Sequence, residues 1–582
     1  MAASPSQTAA IIVGGSLVGL CSAIFLRTKN VPVILIERHL GSSLHPRAMG
    51  FTVRTLETFR EVDLERRMPK AAVKESGRPR RMNVESLSGK WNEEVAWTKP
   101  TNSGEGKQEK AKQQSEPPSK GSAGGHINLF GETEYSPCHG SAVAQDALEP
   151  VLRSRALELG ADIRMGWEMT QWKEDSDGVI VTAVDRSGFD KIEIRGRYLI
   201  ACDGSRSSIR NDLGIQMKGV GQLRTMRSIL FRCSVINKFL DIGISQWMIH
   251  NDTMDGFLTT YRDGRWALMV FLKDGQSQLT WDIDTQRRMI RLAVGENLPL
   301  SDEDIDLITT GQWDLSAEVA EKFSQGRVFL AGDAAHTLPP TRGGYGANTG
   351  IADTHNLAWK IAAVLEGHAN PSLLDTYNAE RRPIALLRHE QTFLRDDYKQ
   401  YLPAESPWRE SPRPIFDDIA MELGQIYRSD AVLLDETDQA LLADELETGM
   451  IAKRPEVWRG CPGSRAPHIW LLGQDGERIS TLDLFGSGWV VLSEDEATSN
   501  TIITESLATL KVPLGIKYVR IGATGSYRPE LDSASFAETF GIGHHGLVLV
   551  RPDGYIAWRA VETPTVKEFV EALLKVSHTV EV

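Results

Sequence analysis

Three stretches of this chain hold residues whose types and spacing suit a nucleotide cradle. The first is Gly14-Gly15-Ser16-Leu17-Val18-Gly19. Gly14 allows a tight turn, and Gly19 lets a following helix pack closely on the preceding strand. The middle position, Ser16, keeps a small side chain where backbone N–H groups approach a pyrophosphate. Glu37 follows 23 residues after Gly14, where an acid at a strand end accepts bonds from an adenosine ribose. The second stretch is Asp203-Gly204, with Ser207 and Arg210 behind it. The third is Gly332-Asp333, followed by a loop with Gly343, Gly344 and Gly346 and then Ala347 and Asn348. An acid at a strand end binds sugar-alcohol hydroxyls. A glycine-rich loop entering a helix offers N–H groups and a positive dipole end to an anion.

Elements of the right kind surround these residues. The runs Ala10–Val13 and Val33–Glu37 read as buried strands, with a helix to about Lys29 between them, which makes a βαβ unit of the dinucleotide-binding kind. Ala147–Glu158 is helical in pattern. Short strands fall between Val179 and Cys202, and Val328–Leu330 leads into a helix from about Ala347 to Glu366. Alternating apolar runs between Met226 and Leu272 predict an antiparallel sheet. Helical patterns dominate 374–450. Beyond 454–467, strands (WVVLS, KYVRIG, HGLVLV, YIAWR) alternate with helical pieces and predict a separate small α/β domain. Residues 99–125 hold almost no apolar side chain and read as a disordered insertion, unable to bury enough surface to offset its ordering entropy.

Composition bounds the class. The chain has 582 residues, 41% hydrophobic and 25% charged, with a net charge of −13. Its length sustains several cores, and its acidity disfavours nucleic acid as a partner. The cysteines Cys21, Cys138, Cys202, Cys233 and Cys461 are scattered, with no C-x-x-C pair, so reduced thiols and a cytoplasmic location are expected. Residues 9–26 are almost wholly apolar but lack a preceding basic residue, so strand, turn and buried helix are expected there rather than a signal peptide or membrane span.

In order and spacing, the three motifs resemble those of the FAD-dependent aromatic-ring monooxygenases of the para-hydroxybenzoate hydroxylase and phenol hydroxylase type. The spans GDAAHTLPP and NTGIADTHNLAWK are close matches, and the resemblance covers residues 8–400. It implies an α/β fold: a Rossmann-like FAD-binding domain (1–85, 140–217 and 302–400) interleaved with an antiparallel-sheet substrate domain (86–139 and 218–301). A helical connection (401–450) then leads to a C-terminal thioredoxin-like domain (451–582) without a redox motif. That last part rests on PGSRAP (462–467), STLDLFG and VRPDGYIAWR (550–559), which are similar to the tail of phenol and polyketide hydroxylases. The cofactor-binding residues implied are Gly14, Ser16, Gly19, Glu37, Arg38, Arg47, Gln145, Asp203, Gly332, Asp333, Gly343, Gly344, Gly346, Ala347 and Asn348. No second strand–GxGxxG–helix is present, as the family requires.

The activity implied is NADPH- and O2-dependent hydroxylation of a phenolic or polycyclic aromatic substrate through a C4a-hydroperoxyflavin. Baeyer–Villiger oxygen insertion is the first alternative. An FAD dehydrogenase or reductase, or a non-catalytic FAD scaffold, is the second. Met49 stands where phenol hydroxylases often carry an aspartate, which keeps the first alternative open. Trp247, Phe257, Trp266 and Leu268 are the candidate substrate-lining residues, with core packing as the competing reading. His250 and Tyr261 are candidate catalytic groups, against a merely hydrogen-bonded histidine. Arg54 holds either flavin or an anionic oxygen, or forms a structural ion pair with Glu57. A homodimer without nucleic-acid or membrane partners completes the expectation.

Overall fold

The fold was obtained as a computed structural model that describes residues 6–45, 48–69, 80–94, 135–242, 244–261, 263–272, 281–339, 344–406, 409, 413–448, 451–495, 497–509, 515–523, 525–530 and 535–579. The 99–125 segment, Arg47 and Gly343 lie outside the described residues. The chain divides into two compact units. One comprises Met1–Pro69, Thr133–Leu223 and Ser316–Val582; the other comprises Lys70–Glu132 and Arg224–Leu315.

The first unit is built on a six-stranded sheet in the order Ser324–Gln325, Val328–Leu330, Tyr198–Ala201, Ala10–Val13, Val33–Glu37, Asp162–Met165. All neighbours are parallel except the first pair. Parallel strands covered on both faces must be apolar throughout, and every residue of Ala10–Val13 and Tyr198–Ala201 is buried. The helix Leu17–Thr28 follows the first strand and buries Leu20, Ile24 and Leu26 completely. Each such side chain contributes about 1.5–3 kcal/mol. Burial on nearly all sides explains the apolar N-terminal run. Among the described residues no helix is long and apolar enough to cross a membrane.

The C-terminal region belongs to this same unit. Its four-stranded mixed sheet runs Ile516–Arg520, Trp489–Ser493, Leu547–Val550, Ile556–Ala560, with the helix Val566–Ser577 beside it. This is the mixed α/β arrangement expected of a thioredoxin-like fold. A small antiparallel sheet, Arg478–Ser480, Trp470–Gly473 and Tyr527–Pro529, was not foreseen. The tail's core is continuous with the long helix Tyr345–Leu365: Trp359 of that helix meets Trp489 edge-on at 5.8 Å.

In the second unit, Arg265–Phe271, Asp255–Thr260 and Ile244–His250 pair antiparallel in sequence. The expected antiparallel sheet also contains a parallel pair, Ile244–His250 with Arg80–Val84. The helix Ile283–Val294 covers one face, with an Asp282 cap accepting from Thr285 N–H at 2.8 Å.

Candidate cofactor site

The sheet order of the first unit reverses between Ala10–Val13 and Tyr198–Ala201, so their carboxyl ends form a topological switch point, the usual place for a ligand in an open α/β sheet. Three motifs meet there. Gly14 has φ +104°, and a Cβ on it would fall on the Cys202 carbonyl oxygen. A Cβ on Gly19 would fall on the Gly14 carbonyl oxygen. Glycine is therefore required by contact at both positions, not only by turn geometry. Gly332 has φ +61° and packs on Val18, which a Cβ at Gly350 of the long helix would meet at 2.6 Å. The fingerprint helix, the Gly332–Ala334 turn and the helix Tyr345–Leu365 thus converge on Val18.

Glu37 sits over the fingerprint turn, accepting from Gly15 N–H at 2.6 Å and His39 N–H at 2.7 Å. Arg38 is exposed, its Nε 3.2 Å from His39 Nε2. Ser16 caps the fingerprint helix by position, but its hydroxyl donates to Glu149 Oε1 at 2.6 Å instead of serving a helix amide. Gln145 Nε2 donates to both Ser16 Oγ (2.9 Å) and Glu149 Oε1 (2.8 Å), while its Oε1 accepts from Ala48 N–H (3.2 Å). The first-turn amides are thereby left without a side-chain cap, which is the donor set an anion needs.

Asp203 is mostly buried, and burial pushes its carboxyl above the usual carboxylate range. Its Oδ2 lies 3.4 Å from Ile209 N, and its Oδ1 has no hydrogen-bond partner among the described residues. Arg210 ties this loop to the third motif, donating to Ser205 O and Ala334 O, both at 3.1 Å. Asp333 is half-buried in the Gly332–Ala334 turn. The helix Tyr345–Leu365 starts at Gly344 in the left-handed region (φ +62°), again without a side-chain cap. A Cβ on Gly346 would lie 4.0 Å from Asp333 Oδ1; half-buried Ala347 follows it in the helix's first turn. Asn348 is saturated: its Oδ1 accepts from Thr52 N–H (3.0 Å) and Thr55 Oγ1 (2.6 Å), and its Nδ2 donates to Gly50 O (3.1 Å) and Gly344 O (2.8 Å). It fastens the helix start to the 50–55 segment.

Arg54 belongs to another network. Its Nη1 meets Glu57 Oε2 at 3.0 Å, and its Nη2 donates to the Asp553 carbonyl at 3.2 Å. Glu57 also takes a two-pronged contact from Arg465, at 2.8 and 2.5 Å. Burial alone would raise the Glu57 carboxyl, but Arg465 and then Arg54 outweigh it and hold it below the usual range. Through these contacts Arg54 joins the 53–61 helix to the C-terminal region.

In the second unit, Trp247, Trp266 and Leu268 are fully buried in the core under Ile283–Val294, with the two indoles 5.5 Å apart. Their surface is used in packing, which is the core reading of these positions. Strand alternation puts Phe257 on the opposite, half-buried face, paired with Met269 and 6.1 Å from Phe271. His250 is exposed and bonded to Asp255 at 2.8 Å across the hairpin. Tyr261 ends the hairpin with Arg265 over its ring at 5.2 Å.

Sequence reasoning missed Glu149, Asp353 and Arg381. Glu149 had a legible signal, the i,i+4 spacing from Gln145 on one helix. The other two become visible only once distant segments are brought together.

Glycine-lined strand ends at a switch point, two uncapped helix starts and an unpaired buried carboxyl oxygen fit a dinucleotide, and define the first unit as a dinucleotide-binding flavoprotein fold. Residues 7–391 match the FAD binding domain family, and 459–577 match the aromatic-ring hydroxylase C-terminal family. The chain belongs to the FAD-dependent aromatic-ring monooxygenases. It is 35% identical over 560 residues to a 4-methyl-5-nitrocatechol 5-monooxygenase of a Burkholderia species, covering 94% of this chain and 93% of the relative. It is 34% identical to a putative polyketide hydroxylase of Streptomyces halstedii, covering 98% and 96%. Among solved structures it resembles aklavinone-11 hydroxylase in complex with FAD and aklavinone, with a TM-score of 0.79 and 29% identity over 99% of this chain and 100% of that one.

Proposed function

We propose that this enzyme uses NADPH and O2 to hydroxylate a flat phenolic or polycyclic aromatic substrate of the polyketide type. The observation that carries this reading is the convergence of Gly14, Asp203 and the Gly332–Asp333 turn at one switch point, in a chain related over nearly its full length to aromatic and polyketide monooxygenases. When bound, FAD accepts hydride from the nicotinamide and activates O2 for transfer to the ring.

The chain's own residues have distinct tasks. The uncapped amides at Leu17–Val18 and the close approach at Gly14 and Gly19 receive the pyrophosphate. Glu37 serves the adenosine ribose, and Asp333 the ribityl chain. The start of the helix at Gly344, Gly346 and Ala347 presents N–H groups and a positive dipole end to negative charge on the reduced ring. The half-buried face carrying Phe257, Met269 and Phe271 suits a flat, weakly polar ligand.

The test uses the purified protein. Bound FAD, substrate-stimulated NADPH oxidation and a product heavier by one oxygen atom are expected with polycyclic phenols or quinones. Product NMR then distinguishes a new ring hydroxyl from a lactone, the outcome that would favour Baeyer–Villiger insertion. Absence of bound flavin, or turnover equally fast without O2, would refute the proposal.

A further inference from the structure

We infer that Asp353 and Arg381 are positioning residues for the flavin-binding turn, and that Tyr427 and Tyr555 extend this support to the C-terminal region. The inference rests on the FAD reading above and adds residues that lie in none of the three motifs.

Asp353 lies in the helix Tyr345–Leu365 and is fully buried. Its Oδ2 accepts the Gly332 N–H at 3.2 Å and stands 2.7 Å from His336 Nε2. Its Oδ1 accepts from Arg381 Nε at 2.9 Å. Arg381, also buried, donates from Nη2 to the Thr349 carbonyl of the same long helix (3.2 Å) and from Nη1 to the Tyr427 hydroxyl (2.9 Å). Tyr427 stacks on Tyr555 with centroids 4.0 Å apart and planes 18° off parallel. Tyr555 follows Gly554 in the C-terminal RPDG segment. Burial by itself would raise the Asp353 carboxyl; His336 and Arg381 outweigh that and keep it below the usual range.

One carboxylate therefore holds both halves of the site: the turn carrying Asp333, through the Gly332 amide, and the helix that begins at Gly344, through its own backbone and Arg381. The two halves already touch, since a Cβ on Gly350 would sit 2.8 Å from the Gly332 Cα. Contact fixes their distance, and the directed bonds of Asp353 fix their rotation. Each of the three Arg381 nitrogens is engaged, to a different partner, which fixes the plane of the guanidinium. Its last link, through Tyr427 to Tyr555, makes the tail part of the support for the cofactor site.

The experiment compares Asp353→Asn, Arg381→Met and Tyr427→Phe with wild type. FAD affinity of each apoprotein is measured by flavin-fluorescence quenching well below its unfolding midpoint, alongside the visible circular dichroism of the bound flavin. Asp353→Asn and Arg381→Met are expected to weaken FAD by about tenfold or more, the size of one lost charge-assisted hydrogen bond, and to change the flavin dichroism. Tyr427→Phe should weaken it by about threefold, as loss of a neutral acceptor does. Variants with lower midpoints but wild-type FAD affinity and dichroism would show a merely structural role and overturn the inference. Should Arg381→Met not fold, Asp353→Asn and Tyr427→Phe decide by the same two readouts. A wild-type protein that fails to bind FAD would instead fail the functional reading, and this inference with it.

Discussion

Replacing Arg551 by Met empties the centre of the network that joins the tail to the long helices. Arg551 is fully buried and donates to Glu380 Oε1 (2.6 Å) and Oε2 (2.9 Å) and to Asp553 Oδ1 (3.0 Å) and Oδ2 (2.6 Å). Methionine fills much of the volume but supplies no donor. Among the described residues Glu380 keeps Lys360 (2.8 Å), Asn356 (2.7 Å) and Ser429 (2.6 Å), whereas Asp553 keeps the Asn356 amide at 3.2 Å. Two buried carboxylates would then face one ammonium. Removing one partner of a buried ion pair costs about 3–5 kcal/mol. With an unfolding entropy of about 2.1 cal/mol/K per residue, a unit of this size shifts by roughly 1 °C per kcal/mol, so the unfolding midpoint should fall by roughly 3–6 °C. Trp359 reports the change directly, since its ring lies 5.1 Å from the guanidinium. In the wild type, burial would raise the Glu380 carboxyl, but Arg551 and Lys360 hold it well below its ordinary 4.5. The stabilisation that Arg551 gives Glu380 is therefore full above about pH 4.5 and is lost as pH falls below it, so the penalty shrinks toward acid. Thermal unfolding followed by tryptophan fluorescence at pH 7 and pH 4 tests both parts. A midpoint within about 1 °C of wild type at pH 7 would refute the reasoning, as would a penalty that grows toward acid.

Gly19→Ala should abolish FAD retention, because its Cβ would fall on the Gly14 carbonyl oxygen; the ratio of flavin to protein absorbance after purification measures this. Burial pushes His389 and His468 down from 6.5 to about 4. Both are neutral in the fold, so stability is full above pH 6.5 and falls as pH drops toward 4, by up to about 3 kcal/mol for each; His389→Gln should flatten that acid limb in urea titrations. Glu149→Leu strands the donors of Ser16 and Gln145 and should cost about 1–3 kcal/mol, read from the apoprotein's urea midpoint.

Much of the architecture was legible locally. Ala10–Val13, Gly14, Gly19 and Val33–Glu37 announce themselves because a buried parallel strand must be apolar and a close helix contact must be glycine. The tail strands were legible for the same reason, since Trp489–Ser493 and Leu547–Val550 are wholly buried runs. The small sheet containing Trp470–Gly473 escaped notice because its strands have three or four residues, too short for a period of two to show. The parallel pairing of Ile244–His250 with Arg80–Val84 escaped notice because strand direction leaves no local trace.

The side-chain assignments in the second unit divide along the same line. Alternation correctly placed Trp266 and Leu268 on one face, but not which face a helix would cover. Once Ile283–Val294 packs on that face, both become core and Phe257 lies on the other. Arg54 likewise meets the Asp553 carbonyl only when the chain folds.

The sequence by itself determined the cradle: glycine at contact points, acids at strand ends and helices opening on glycine, each set by its immediate neighbours. Only the tertiary structure decided how the cradle is held. Asp353 and Arg381 meet from two helices, Arg551 reaches Glu380 across 171 positions, and Tyr427 lies against Tyr555. A buried charge is tolerated only when its partners arrive from elsewhere in the chain, so those residues acquire their roles when the chain closes around them.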